Sequence, residues 1–393
     1  RPHLGPFNWQ FIEPAYDRVY YWTQTDKYVD IAHLHGFATV ATIWPFHYSD
    51  QMVCNYARTG TLGFVFRQLP RWLYKQRCNM DAYQAFVSAM VERYDGDGVD
   101  DYPNLKYPIK YWEASNEPDM SGLELTFFLG TPQDYAEILK VTYEAVKEAD
   151  TGAIVLQGGA AGLLDRKMRS FWETVFSIPN IGDYFDIANI HSISGSPTFF
   201  VPEFKQLLQA HGLGDKPVWV TEVSLSTDPT SASGGRFLSE QEKGLLLKQS
   251  FSAAFAAGAE KAFYTILYGF GDLNMAREAL IGPSGTRLPA FQAFLEIIEE
   301  ATSPTTTQAT TEPTPVPAPV VRLPITFKGD WPGGAERARQ AFDKVYLYLV
   351  KYLGEPFTIG GEGVTPIWDT AITSPDQVGW NAEDNSISVD SFS

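Results

Sequence analysis

Basic residues are scarce in this 393-residue sequence. Lys and Arg number 30 against 47 Asp and Glu, which gives a formal net charge of −17. An acidic surface repels phosphate backbones and anionic lipid headgroups, so nucleic acid and membrane surfaces are poor partners. The sequence also lacks an uninterrupted apolar run long enough to span a bilayer. These absences exclude nucleic-acid-binding and membrane-spanning proteins.

Cysteine is nearly absent. Cys54 and Cys78 stand in one stretch between predicted elements, and no CxxC or Cys/His zinc spacing occurs. We predict one loop-closing disulfide, with two free thiols as the alternative. HExxH is missing, and the one HxH pair, His33 and His35, falls on a helix ahead of a strand, away from any candidate site. The sequence therefore predicts no metal and no cofactor.

Aromatic residues are abundant, with 10 Trp, 20 Tyr and 26 Phe, and the hydrophobic fraction of 44% allows a large core. Aromatic rings pack in cores, and they also stack on the apolar faces of pyranoses. Composition does not separate the two uses.

Strand-like and helix-like segments alternate from the start to about residue 300. This alternation predicts βαβ units and a parallel sheet. The predicted strands are Phe37–Pro45, Ile109–Ala114, Ile154–Gln157, Phe185–His191, Pro217–Glu222 and Ala262–Leu267, after a fragment at the N-terminus. The predicted helices are Ala82–Tyr94, Gln133–Ala149, Met168–Phe176, Glu203–His211, Ser239–Ala257 and Ala290–Glu299.

Polar residues decide between a doubly wound sheet and a barrel, both of which fit the alternation. The candidate residues fall at or just after strand ends: Trp44, His47, Asn116, Glu117, His191 and Glu222. In a (β/α)8 barrel these ends converge on one face, which holds the active site. The sequence therefore predicts an α/β fold with a TIM-type barrel over residues 1–300.

The composition changes after residue 300. Residues 301–320 are rich in Thr and Pro with almost no large apolar side chain, which predicts an extended linker. Residues 321–393 follow as a partial C-terminal α+β segment, with a predicted helix over Gly334–Leu353 and an unfinished strand in SISVDSFS.

An apolar strand runs into Asn116-Glu117-Pro118. This motif resembles that of clan A glycoside hydrolases, in which Asn-Glu-Pro closes the fourth barrel strand. The resemblance implies that Glu117 is the general acid/base and that Asn116 hydrogen-bonds the sugar 2-hydroxyl. Such an acid is needed because cleavage of a glycosidic bond requires a proton on the leaving oxygen.

A second carboxylate, Glu222, ends the apolar strand in KPVWVTEVS, with two predicted strands between it and Glu117. Clan A enzymes have the same separation between acid/base and nucleophile, which the resemblance assigns to strands four and seven. It implies retaining hydrolysis of a β-linked oligo- or polysaccharide by double displacement through Glu222. An extracellular or cell-surface location is expected.

The resemblance covers about Arg1–Phe294 and is nearest to the β-xylosidase and α-iduronidase-like branch. There an Arg-x-His segment ends the second strand, and Arg1 and His3 match its spacing. The chain would then lack the first strand and helix of the barrel. A frayed terminus is the alternative for both residues.

Other residues are assigned to the substrate by position. His191 ends its strand, where the resembled families carry a His or Tyr near the nucleophile; a buried core histidine is the alternative. Trp44 and His47 follow a strand and are expected to shape the subsite of the non-reducing sugar. Tyr268 follows the last strand, where clan A enzymes often place an aromatic platform, although the usual Trp is not obvious.

Three alternatives remain open. A catalytically inactive barrel would only bind carbohydrate, although neither Glu is missing. An aldolase would need a Lys at a strand end, and none is found. The run Asp95–Asp101 could bind calcium, but Val99 and Lys106 break the EF-hand pattern, so a Gly/Asp turn is preferred.

Overall fold

The computed structural model describes residues 1–2, 5–53, 79–120, 127–193, 197–230, 235–269, 273–302, 365–368, 379–381 and 386–389. Two compact units result. The first comprises Arg1–Leu280 with Leu288–Glu299, and the second comprises Ile281–Arg287 with Glu300–Ser393. The predicted linker, the predicted helix at Gly334–Leu353, and Cys54, Cys78 and His3 lie outside the described residues, except that Ala301 and Thr302 continue a helix.

The first unit is built on parallel strands. The six strands are β1 (Val40–Ile43), β2 (Tyr111–Ala114), β3 (Ile154–Gln157), β4 (Ala188–Ile193), β5 (Val218–Ser224) and β6 (Ala259–Tyr264). They pair in the order β1-β2-β3 and β4-β5-β6. Parallel bridges from Leu156 to Ile187 and from Ala160 to Ile190 join β3 to β4, and another from Asn8 to Trp44 adds the N-terminal segment beside β1.

Helices follow or precede these strands as the alternation predicts. They are α1 (Trp9–Ile12), α2 (Thr23–Leu34), α3 (Tyr48–Val53), α4 (Met80–Tyr94), α5 (Pro132–Ala149), α6 (Arg166–Phe176), α7 (Pro197–Ala210), α8 (Glu240–Ala256), α9 (Leu273–Glu278) and α10 (Pro289–Thr302), with a 3₁₀ turn at Ile181–Tyr184. Capping boxes start two of them: Thr131 with Asp134 at α5, and Ser239 with Glu242 at α8. Among the described residues, no helix is both long and apolar enough to cross a membrane.

The sheet of the first unit curves. The rings of Tyr111 in β2 and Trp219 in β5 are in tilted contact with centroids 5.1 Å apart, although β3 and β4 lie between these two strands. A small interior cluster adds apolar side chains from β1, β3 and β6 to this contact: Val40, Ile154, Leu156 and Phe263. The alternate residues of the strands pack outward in the larger core beneath the helices. The carboxyl ends of the strands are thereby drawn together.

Two strands end later than predicted. β4 continues past His191 to Ile193, and β5 continues past Glu222 to Ser224. The prediction ended each strand where its apolar run stopped, but the polar side chains there belong to the strands and face the interior. Strand ends judged from apolar runs were therefore wrong by two residues.

The second unit contains three described strands. β7 (Thr365–Trp368) pairs in parallel with β9 (Ser386–Val389), and β8 (Gly379–Asn381) pairs with β9 in antiparallel fashion. The strand predicted in SISVDSFS is confirmed as β9.

Candidate active site

Glu117 and Glu222 meet at the carboxyl ends of the strands. Glu117 follows β2 and Glu222 lies within β5, and their exposures are 4% and 2%. Three atoms lie within 4.8 Å of one another: one carboxylate oxygen of Glu117, one of Glu222 and a ring nitrogen of His191. The structure therefore brings together three of the residues predicted from the sequence.

A bulge aims Glu222 into the site. Ile190 of β4 pairs with Val220, but the next residue, His191, pairs with Glu222, so Thr221 is an extra residue in β5. A bulge of this kind re-aims the side chains on either side of it. Thr221 and Glu222, although adjacent in sequence, therefore both contact the interior group around His191.

The backbone before Glu117 has an uncommon conformation. Ser115 has a φ of 73° and Glu117 a φ of 40°, both in the left-handed region that side chains other than glycine rarely occupy. The amide of Ser115 still pairs with the carbonyl of Ile43, and the amide of Met120 donates to the carbonyl of Glu117. Such strain persists where the surrounding structure holds it, and it occurs often at functional sites.

Arg1 is the positive charge of the site. Its Nε donates to Oε2 of Glu113 over 2.6 Å, its Nη2 donates to Oδ1 of Asn116 over 2.5 Å, and its Nη1 contacts Oε1 of Glu222. Burial disfavours the charge on Glu113, but Arg1 outweighs it and lowers the pKa of that carboxyl to about 2. Arg1 therefore neutralises two buried carboxylates, as its position in the sequence motif predicts for Glu222.

A chain of hydrogen bonds sets the protons on His191. Asn189 Nδ2 donates to Glu113 Oε1 over 2.6 Å, so Asn189 Oδ1 is left to accept the Thr221 hydroxyl at 2.8 Å. Thr221 Oγ1 then accepts from His191 Nε2 at 3.0 Å. The other ring nitrogen, Nδ1, lies 2.7 Å from Glu117 Oε1. Since Nε2 carries its own proton, one further proton is shared between Nδ1 and Glu117.

The charges around His191 favour the imidazolium. Burial works against its charge, but the carboxylate of Glu222 and the hydrogen bonds to neighbouring carboxyls outweigh that effect and raise the pKa of His191 to about 10. A protonated His191 can pass a proton to Glu117 along the 2.7 Å hydrogen bond.

Two of the residues predicted to bind substrate carry buried donors without a partner. Asn116 Nδ2 and Trp44 Nε1 have no hydrogen-bond partner in the part of the chain that the structure describes. Asn116 is oriented by its bond to Arg1, and the Trp44 ring lies 5.8 Å from that of Phe127. Buried donors without partners are costly, and both of these could bind hydroxyl groups.

His47 does not join this group. Its Nε2 donates to the carbonyl of Glu13 over 2.5 Å, its Nδ1 accepts the amide of Ser49, and its ring packs against Trp9 and Tyr16. Burial lowers the pKa of His47, which agrees with a neutral ring. Both nitrogens are occupied by these contacts, and the predicted role of His47 in shaping a subsite stays a prediction.

Tyr268 follows β6 and is 36% exposed, so its ring is more accessible than the buried carboxylates. His3, the remaining predicted residue, lies outside the described residues.

Sequence reasoning missed the buried polar layer beneath the carboxylates. Glu113, Asn189, Thr221 and Thr42 contribute to it, and each lies inside a strand. A charged residue within a short apolar strand was the available signal, because inward positions recur every second residue. Glu113 shares this inward face with Tyr111.

Two groups have donor atoms of the kind that bind metals. Glu117, His191 and Glu222 form one, but Arg1 already supplies a positive charge on Glu222. Asp95, Asp97 and Asp101 form the other, in which Asp101 accepts the amides of Gly96 and Gly98. Both glycines have positive φ, so these bonds describe a tight Gly/Asp turn.

Asp119, which the sequence analysis also missed, is a buried carboxyl two residues after Glu117. It accepts the amides of Ala161 and Gly162. Burial, reinforced by the charge of Glu117, nevertheless raises the pKa of Asp119 to about 7. The folded protein therefore holds a proton here that the unfolded chain releases near pH 4, and stability falls as the pH rises from about 4 to 7.

Asp119→Asn should remove this pH dependence. The wild type should lose stability relative to the variant as the pH rises from about 4 to 7. We expect the difference between their free energies of unfolding to change by at least about 1 kcal/mol over these pH values. Chemical denaturation at several pH values measures it, and Asp215→Asn at an exposed position is the control. A difference between wild type and Asp119→Asn that stays constant with pH would contradict the assignment.

The structure shares its fold with solved glycoside hydrolases. No protein-family model matches the chain, and no curated protein matches it. A glucosidase from Croceicoccus marinus matches with a TM-score of 0.53 and 16% identity over 72% of this chain and 54% of its own. A family 39 glycoside hydrolase from Bacteroides cellulosilyticus matches with a TM-score of 0.52 and 15% identity, over 74% of this chain and 56% of its own.

A family 39 β-xylosidase from Caulobacter crescentus matches with a TM-score of 0.51 and 16% identity, over 72% of this chain and 59% of its own. The chain thus spans a little over half the length of each of these three structures. At these identities the likeness shows the fold. The predicted resemblance to glycoside hydrolases is confirmed at that level.

Proposed function

We propose that the chain carries the active site of a retaining glycoside hydrolase, with Glu117 as acid/base and Glu222 as nucleophile. The observation that carries the proposal is the approach of the two buried carboxylates to within 4.8 Å, measured between oxygens. Retaining enzymes hold their carboxyls about 5–5.5 Å apart, whereas inverting enzymes need about 6.5–9.5 Å to admit a water molecule. The short separation supports attack by Glu222 itself.

The first step would form a glycosyl-enzyme. Glu222 Oε attacks the anomeric carbon while the bond to the leaving oxygen breaks. Glu117 delivers the proton to that oxygen, and His191 Nδ1 supplies it to Glu117 across their hydrogen bond. The ion pair with Arg1 orients the Glu222 carboxylate for attack.

The second step would reverse these transfers. Glu117 removes a proton from water, and the oxygen of that water attacks the anomeric carbon as the bond to Glu222 breaks. The proton returns to the pair formed by Glu117 and His191. The sugar leaves with the configuration that it had in the substrate.

The proposal also includes the type of barrel, the class of substrate and the location of the protein. A (β/α)8-type barrel is supported by the curved parallel sheet. The names of the matched structures, a β-xylosidase and a glucosidase among them, favour a β-xyloside or a glucoside as substrate. The unpartnered donors Asn116 and Trp44 would bind its hydroxyl groups. An extracellular or cell-surface location is proposed as well, and fractionation of the native host would test it.

Incubation with a panel of nitrophenyl glycosides, xylan and β-glucan tests the function, with β-xylosides and β-glucosides first. Nuclear magnetic resonance of the first-formed sugar should show retained configuration. Inverted product would contradict the mechanism. Binding of sugar without turnover by any member of the panel would instead identify a carbohydrate-binding barrel.

A further inference from the structure

Gly159, in the segment that follows β3, lies directly against the imidazole of His191. A methyl carbon at position 159 would lie 2.0 Å from Nε2, 2.3 Å from Cδ2 and 2.6 Å from Cε1 of that ring. All three distances are far shorter than any non-bonded contact between heavy atoms. The ring therefore occupies the space that a side chain at position 159 would need.

The backbone around Gly159 has little freedom to move away. The amide of Ala160 donates to the carbonyl of Asn189 at 3.1 Å, and the carbonyl of Ala160 accepts the amide of His191 at 2.9 Å. From the other side, Asp119 accepts the amide of Ala161 at 3.1 Å. A retreat of this segment would break these bonds.

The ring of His191 is held equally firmly. It is fully buried, its Nδ1 lies 2.7 Å from Glu117 and its Nε2 lies 3.0 Å from Thr221. A side chain at position 159 would displace the ring, and both hydrogen bonds would be lost. Alanine is otherwise compatible with the site, because the φ of Gly159 lies outside the left-handed region.

We propose that Gly159 is a positioning residue for catalysis: the absence of a side chain there lets His191 reach Glu117 and Thr221 at once. The inference rests on the proposed function. It assigns a role to a residue that carries no chemistry of its own and acts only through the histidine.

A double-mutant cycle tests this role. Gly159→Ala and His191→Ala should each lower kcat/KM by roughly 10- to 100-fold. The double variant should be within about twofold of His191→Ala alone, because the methyl group then enters the space that the ring has left. Losses that multiply in the double variant would overturn the proposal, since Gly159 would then act independently of His191.

The pH profile separates positioning from a general loss of fold. Both single variants should shift the alkaline limb of kcat/KM in the same direction, because each removes the group that shares a proton with Glu117. The control is Gly162→Ala in the same segment, where a methyl would lie 3.2 Å from the flexible thioether of Met168. It should leave kcat/KM and the profile unchanged. An unshifted profile in Gly159→Ala would overturn the proposal.

A measurement independent of turnover distinguishes failure of this inference from failure of the proposed function. The imidazole nitrogen and proton signals of His191, assigned by their loss in His191→Ala, should report a hydrogen-bonded imidazolium in the wild type. They should move in Gly159→Ala and stay in place in Gly162→Ala. If the His191 signals of Gly159→Ala match those of the wild type, the proposal is wrong whatever the protein hydrolyses.

Discussion

Replacing Glu222 with alanine should abolish the first chemical step. No other carboxylate in the described site can attack the anomeric carbon, because Glu113 is bound to Arg1, Thr42 and Asn189. We expect turnover of nitrophenyl glycosides to fall by at least about 10⁴-fold, as when a nucleophile is removed from other enzymes. A rapid-mixing assay should show no burst of nitrophenol, since no glycosyl-enzyme forms.

Azide or formate should restore part of the lost activity. The deleted side chain leaves a space beside Arg1, whose guanidinium is then free to attract a small anion. The anion attacks the anomeric carbon in place of Glu222, and the product has the opposite configuration. Rescue with retained configuration would contradict the assignment of Glu222.

Two variants serve as controls for the alanine result. Glu222→Gln keeps the shape of the side chain but fills the space, so it should be inactive and should not respond to azide. Loss of a buried partner also weakens the fold, since an uncompensated buried charge costs about 3–5 kcal/mol. The stability of Glu222→Ala and of Glu222→Gln must therefore be measured. Glu144→Ala, on an exposed face of α5, should be fully active.

The two carboxylates were accessible to sequence reasoning because each comes at the end of an apolar strand. The motif around Glu117 and the spacing to Glu222 predicted that the two would meet, and the structure places them within 4.8 Å. His191 was placed near them by the same argument. Parallel strands bring their carboxyl ends to one edge, so position along the strand is enough to predict such a meeting.

What the sequence did not reveal depends on side-chain direction. His47 stands only three residues after Trp44, yet its ring is turned into the packing around Trp9 and both its nitrogens are bonded. Thr221 and Glu222 both face the site only because a bulge interrupts the alternation of β5. A one-residue change in register reverses which face a side chain occupies, and neither composition nor spacing reports it.

Gly159 was missed for a different reason. Gly159 matters because it has no side chain where the His191 ring lies. That requirement becomes visible only when the neighbours of Gly159 in the fold are known. Glu113 is an intermediate case. A charged residue inside a short strand was visible in the sequence, but its partners Arg1 and Asn189 lie 112 and 76 residues away along the chain.

Replacing Glu117 with alanine should give a different pattern from the loss of Glu222. Substrates with poor leaving groups should slow by about 10²–10⁴-fold, the range for general-acid catalysis. Dinitrophenyl glycosides need no proton on the leaving oxygen, so they should still transfer their sugar to Glu222. The sugar would then leave slowly, because no base remains to activate water. The mass of the intact protein should therefore rise by one sugar unit.

The fate of His191 makes this prediction specific to the structure. With Glu117 gone, Nδ1 of His191 loses its partner at 2.7 Å, while Nε2 keeps its bond to Thr221. If His191 could protonate the leaving oxygen by itself, Glu117→Ala would still hydrolyse substrates with poor leaving groups. A decrease in their rate of less than about tenfold would show this. Azide should accelerate release of the trapped sugar, and its product should retain configuration because the anion attacks the glycosyl-enzyme from the face that Glu117 occupied. Azide product of inverted configuration, or a trapped sugar on any residue other than Glu222, would reverse the roles assigned to the two carboxylates.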